Sequence, residues 1–140
     1  MLCRLVSIVV IGLFLSVAAA NAESSEKEKA AVSSAETWLN VVDEGNYAES
    51  WTEAAELFRS AVKQDQWEQS LQAMRKPLGK LASRKVKSKT YKTSLPGAPD
   101  GEYVVIEFET SFKNKASAVE TVTPMMDKDG TWRVSGYYLK

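Results

Sequence analysis

Val104-Val105-Ile106-Glu107-Phe108-Glu109-Thr110-Ser111-Phe112 is the stretch that decides the fold class. Val104, Ile106, Phe108, Thr110 and Phe112 alternate with Val105, Glu107, Glu109 and Ser111. Successive side chains of a strand point to opposite faces, so this alternation supplies one face for a core and one for water. Downstream, Lys113-Asn114-Lys115 turns the chain into a strand over Ala116–Met126, and Asp127-Lys128-Asp129-Gly130 turns it again into Thr131–Leu139. Upstream, Pro96-Gly97-Ala98-Pro99-Asp100-Gly101 can only be a loop, and Arg84–Thr93, rich in β-branched and long polar residues, is the strand before it. Together these make a four-stranded antiparallel meander.

Before Gly79 the period is helical. Ala31, Ala35, Trp38, Leu39 and Val42 form one stripe that Gly45 stops. Asn46, with Glu49 three residues on, has the pattern of a capping box for a second helix carrying Tyr47, Trp51, Ala54, Ala55, Phe58 and Val62. Asp65 and Glu68 repeat that pattern for a third, with Trp67, Leu71 and Met74, ended by Pro77 and Gly79. The polar run Glu23–Lys29 reads as a frayed lead-in. The expected fold is α+β, with three N-terminal helices packed on one face of a curved four-stranded antiparallel sheet.

The first residues have the parts of a secretory signal. Arg4 is a short positive region, Leu5–Val17 is apolar, and Ala20-Asn21-Ala22 fits the small-residue cleavage rule. Cleavage is expected between Ala22 and Glu23, giving a signal peptide over 1–22 and a single α+β domain over 23–140. A spanning anchor needs about 20 apolar residues, and Leu5–Ala20 is shorter. Cys3 precedes the apolar run, so it is not a lipoprotein cysteine and leaves with the signal. The mature chain then has neither cysteine nor histidine, which excludes disulfides, thiol chemistry, zinc sites of the Cys/His kind and Ser-His-Asp triads. Lys and Arg total 18 against 18 Asp and Glu, so loss of Arg4 leaves a charge near minus one and no bulk attraction to nucleic acid. No cofactor is implied. The expected location is the periplasm or the medium, without stable membrane insertion after cleavage.

Trp38-Leu39, Val42-Asp43-Glu44-Gly45-Asn46-Tyr47, Ser50-Trp51, Phe58, Trp67, Arg75-Lys76-Pro77-Leu78-Gly79, Val119-Glu120-Thr121-Val122 and Asp129-Gly130 with Trp132–Tyr138 carry a resemblance. Over nearly all of the mature chain the sequence resembles the bacterial exported family catalogued as domain of unknown function 4019. That likeness implies compartment and boundaries but no activity. More distantly, the helix-then-sheet order is similar to the nuclear-transport-factor-2-like cone, a scaffold for pockets, enzymes and interaction modules alike.

Four features are candidates for function. Trp38, Trp51, Trp67 and Trp132 lie on apolar stripes, where aromatics chiefly pack, so at most one is expected to line a pocket; Trp132 is the ligand-binding candidate. Asp127, Asp129 and Gly130 echo the start of a calcium loop, but the twelfth position is Tyr138 rather than glutamate, and a polar turn needs no metal. From Arg75 to Lys92 there is no acid, and a regular strand would project Lys85, Lys87 and Lys89 from one face, making with Arg84 a stripe for an anionic partner. The competing reading pairs Lys89 with Glu107 and Lys87 with Glu109, which cancels the charge across strands. Finally, pairing Ile106 with Val122 puts Glu120 opposite Phe108 on the apolar face, and pairing Met126 with Trp132 brings Tyr138 opposite Glu120. A carboxylate there could be an acid or base, a ligand group, or one structural hydrogen bond to Tyr138; a single bulge would flip the assignment.

Three readings follow. The first is a non-enzymatic envelope domain binding a small ligand or an envelope partner. The second is a metal-free isomerase- or hydrolase-like enzyme using Glu120 and Tyr138. The third is an interaction module using the basic stripe.

Overall fold

A computed structural model describes residues 14–140, with side chains from residue 17. Cys3, Arg4 and most of the apolar run from Leu5 lie outside the described residues. Four helices precede four strands: α1 (Phe14–Asp43), α2 (Tyr47–Thr52), α3 (Glu56–Ala61), α4 (Gln64–Arg75), a 3-10 turn (Lys76–Leu78), β1 (Leu81–Lys92), β2 (Tyr103–Phe112), β3 (Lys115–Met126) and β4 (Trp132–Leu139). The strands form one antiparallel sheet in the order β1-β2-β3-β4. The architecture is α+β, and Ala31, Ala35, Trp38, Leu39, Val42, Trp67 and Leu71 share one core with Val104, Ile106, Phe108, Val122 and Val134. No described helix is long and apolar enough to cross a membrane.

The helical half differs from expectation in three places. Glu23–Lys29 is not frayed but part of α1. It is rich in good helix formers, and the sheet ties it down: Lys27 Nζ donates to Glu102 at 2.6 Å, and the Tyr91 amide donates to Glu28 at 3.3 Å. The single second helix is two, α2 and α3, because the segment between them is needed elsewhere. The Ala55 amide donates to the Val134 carbonyl at 2.8 Å, and Ala54 and Ala55 are fully buried against the sheet. An amide bonded to a strand cannot stay in a helical ladder. Asn46 makes no capping bond and instead donates to Glu44, while Asp65 lies inside α4 and accepts from the Gln66 amide next to it.

In the sheet, Ile106↔Val122, Phe108↔Glu120 and Met126↔Trp132 pair as expected. Bulges alter the rest. Between Thr123 and Pro124 the β3–β4 register shifts by one residue, so Glu120 pairs with Leu139 and Tyr138 with Thr121. Pro124 has no amide to give the ladder, and on an inner strand a proline is accommodated at a bulge. Between Thr110 and Phe112 a second shift makes Lys115, not Ala116, the partner of Phe112. On β1, shifts at Leu81/Ser83 and Val86/Ser88 give Lys85↔Glu109, Ser88↔Glu107 and Lys89↔Ile106 in place of the regular lysine row.

Candidate functional site

Glu120 is fully buried on the helix-facing side of β3, where the alternation from Val104 puts it. Its Oε1 accepts from Arg84 Nε and from Thr110 Oγ1, each at 2.7 Å, and its Oε2 accepts from the Tyr137 hydroxyl. Tyr138 does not take part: the bulge turns it to the other face, where it is 60% exposed. The same one-residue shift turns Tyr137 inward, its ring edge-on to Trp38 and Trp67. Sequence reasoning therefore missed Tyr137, and Pro124 was the signal that could have found it.

Two further residues complete the cluster. Arg84 holds Asp43, at the end of α1, in a two-pronged grip: Nη1 to Oδ2 at 2.7 Å and Nη2 to Oδ1 at 3.0 Å. Arg75, at the end of α4, donates to Asp43 Oδ1 at 2.7 Å, lies over the Phe112 ring at 4.8 Å and stands 3.9 Å from Glu120. Two arginines thus face two carboxylates, so the buried charge sums to zero. Arg75 Nε is the one buried side-chain donor without a partner among the described residues. Asp43, Arg75 and Thr110 were not anticipated as members. Asp43 and Arg75 flank helix ends, where a charged residue ordinarily reads as surface.

The electrostatics follow from these contacts. Burial pushes the Asp43 carboxyl up, but hydrogen bonds from Arg84 and Arg75 outweigh it and hold it below the ordinary range. Burial lowers Arg84, yet its bonds to Asp43 and Glu120 raise it on balance. Burial, then the Glu120 charge, drive Tyr137 far above a normal phenol, so it remains a donor at any working pH. Asp43 therefore stays ionised and Tyr137 stays protonated near neutrality. The main surface depressions are lined by residues other than Glu120 and Tyr137.

The stripe is only partly what the sequence suggested. Arg84 points inward into the cluster and is not a surface cation. Lys85 pairs with Glu109 at 3.1 Å and Lys87 with Glu107 at 3.8 Å, cross-strand neutralisation with partners displaced by the bulge. Lys89 is exposed and makes no ion pair among the described residues. In the last turn Arg133 donates to Asp127 at 3.1 Å and to Asp129 at 2.8 Å, so an arginine occupies both aspartates of the calcium-like motif.

Trp132 has a different setting from the other three indoles. Trp38 donates to the Ser50 carbonyl at 2.8 Å, Trp51 to the Val62 carbonyl at 2.7 Å and Trp67 to the Ser50 hydroxyl at 2.9 Å. Trp132 is half-buried and its N–H has no acceptor among the described residues. It lines an open groove of about 420 Å³ between α1 and β4, with Ser33, Thr37, Glu53 and Thr131; Trp38 borders the same groove, so two tryptophans rather than at most one line it. The Trp132 carbonyl is held by Ser34 Oγ at 2.7 Å, which fixes the start of β4 against α1. Burial and then neighbouring Glu49 push the Glu53 carboxyl upward.

Residues 34–137 match the family model described as Protein of unknown function (DUF4019). The chain belongs to this family. No curated protein and no solved structure matches it. The DUF4019 span contains the whole buried cluster, from Asp43 to Tyr137, and most of the α1–β4 groove. It begins after Lys27 and Glu28, so the contacts that tie the front of α1 to the sheet lie outside it.

Proposed function

We propose that this DUF4019 protein is an exported, non-enzymatic domain that binds a small polar, ring-bearing ligand of the cell envelope in the α1–β4 groove. One observation carries the reading: of four indole N–H groups, only that of Trp132 has no acceptor among the described residues, and Trp132 lines a groove. An indole packed partly against the core, with an N–H that has no acceptor among the described residues, suits a saccharide unit, which offers an apolar ring face and hydroxyl acceptors. Ser33, Thr37, Thr131 and Glu53 around it are hydrogen-bonding groups of the right kind. The signal-like leader motivates the compartment, with a mature N-terminus at Glu23 and release into periplasm or medium. The cone-like scaffold is part of the same reading, since a helix layer over a sheet leaves such grooves at its rim.

The enzyme alternative loses its motive. A general acid or base must reach the reacting atom, and the Glu120 carboxylate is enclosed with both oxygens engaged. Titration of nitrogen-labelled protein with N-acetylhexosamine oligomers, followed by the indole N–H signals, tests the proposal. The Trp132 signal should shift on binding, and Trp132→Ala should abolish binding while leaving the fold intact. Shifts confined to other surfaces, or a Trp132→Ala protein that still binds, would defeat it.

A further inference from the structure

The end of the molecule opposite the front of α1 brings together two turns. The Lys113 amide donates to the Lys80 carbonyl at 2.8 Å, the Asn114 amide to the Leu78 carbonyl at 2.9 Å and Asn114 Nδ2 to the Pro77 carbonyl at 3.0 Å. These bonds staple the Lys76–Leu81 segment to the β2–β3 hairpin. The platform is therefore rigid, although both parts are connections between elements.

Its surface is basic and partly apolar. Lys76, Lys80 and Lys113 are exposed, Lys115 is half-exposed, and none makes an ion pair among the described residues. The sequence has no acid over 69–99 or over 110–119, the segments that build this end. Asp43 and Glu120, which lie beneath it, are committed to Arg75 and Arg84. Glu36 of α1 shares a shallow depression with Leu81, and Glu109, which borders Ser83, Ala116 and Ser117, is paired with Lys85. Between the lysines stand Pro77, which is exposed, and Leu81, 36% exposed.

We infer that this stapled double turn docks the protein on the surface of an anionic phospholipid bilayer. Lysines set around exposed apolar side chains match an interface that is anionic at its surface and apolar beneath. Long lysine stems place charge among headgroup phosphates while proline and leucine meet the upper acyl region. Charge alone would suit any polyanion; the apolar residues between the lysines favour lipid. The inference stands independently of the groove.

The experiment is co-sedimentation of the exported protein with vesicles of phosphatidylcholine, with and without phosphatidylglycerol. Binding should require phosphatidylglycerol and weaken with salt. Each lysine removed should lower partitioning about five-fold. Lys80→Glu with Lys113→Glu should abolish binding, and Leu81→Ser should reduce it at unchanged charge; circular dichroism checks that these surface variants fold. Three results would each overturn the inference. One is no binding to phosphatidylglycerol vesicles at low salt. A second is binding that survives the double reversal, as insertion of an apolar leader would. The third is Leu81→Ser without effect together with equal binding to soluble polyphosphate, which would mark a soluble polyanion partner.

Discussion

At the scale of single residues, the two neighbouring tyrosines of β4 make the sharpest contrast. Tyr137 donates to a buried carboxylate and Tyr138 faces water, although one position separates them. Glu120→Gln removes a charge that Arg84 needs at 2.7 Å and should lower unfolding free energy by about 3 kcal/mol or more, the usual cost of breaking a buried pair from one side. Tyr137→Phe should cost about 1 kcal/mol, and Tyr138→Phe less than about 0.5 kcal/mol. Denaturant melts of the three variants check the order; equal effects for the two tyrosines would refute the register. The cluster also fixes a pH dependence. Asp43 has a folded pKa below its unfolded value, so its contribution is complete above the ordinary carboxylate range and is lost as pH falls through the folded value. Stability should therefore drop on acidification below about pH 4, and Asp43→Asn should flatten that limb. The inward position of Glu120 was legible because alternation propagates through pairing. Its partner was not, because one inserted residue exchanges the faces of everything after it.

At the scale of elements, the strands were legible and the helix boundaries less so. Strand limits follow from the two-residue period and strong turn signals, which depend on neighbours in sequence; β1, which lacks a clean alternation, runs over Leu81–Lys92 rather than the expected Arg84–Thr93. The break between α2 and α3 depends on a bond from Ala55 to Val134, far along the chain, and no local pattern announces it. Cap patterns at Asn46 and Asp65 misled for a similar reason: the side chains had nearer partners. Glycine at element ends offers a test of the connections. Gly45 has φ +80 with no atom near an added Cβ, so Gly45→Ala should cost about 1 kcal/mol, the left-handed penalty alone. Gly79 has φ 73 and ψ −161, a conformation essentially confined to glycine, and an added Cβ would lie 3.1 Å from Asn114 Nδ2 and 3.2 Å from Lys113 Cβ. Gly79→Ala should cost about 2 kcal/mol or more, because strain and crowding add. Thermal melts that reversed this order would argue against the stapled turns.

At the scale of the whole molecule, α1 runs from Phe14 to Asp43 and crosses the expected cleavage point without a break. Residues 18–22 are helical and exposed, whereas Lys27 and Glu28 are the first of the described residues with side chains bonded to the sheet or its flanking residue Glu102. A cut between Ala22 and Glu23 keeps both anchoring contacts, and residues 18–22, which it removes, are exposed. It also removes the one cysteine, at position 3. Protein recovered after export should have the intact mass of a chain starting at Glu23 and should contain no titratable thiol. Its melting temperature should match that of the longer chain to within the spread expected of surface changes. A truncation beginning at Ala31 should melt lower, since it loses the 2.6 Å ion pair of Lys27 with Glu102 and the Glu28 cap on Tyr91. A mass retaining Met1 would refute cleavage, and equal melting of the Glu23 and Ala31 forms would show that the front of α1 contributes no stability.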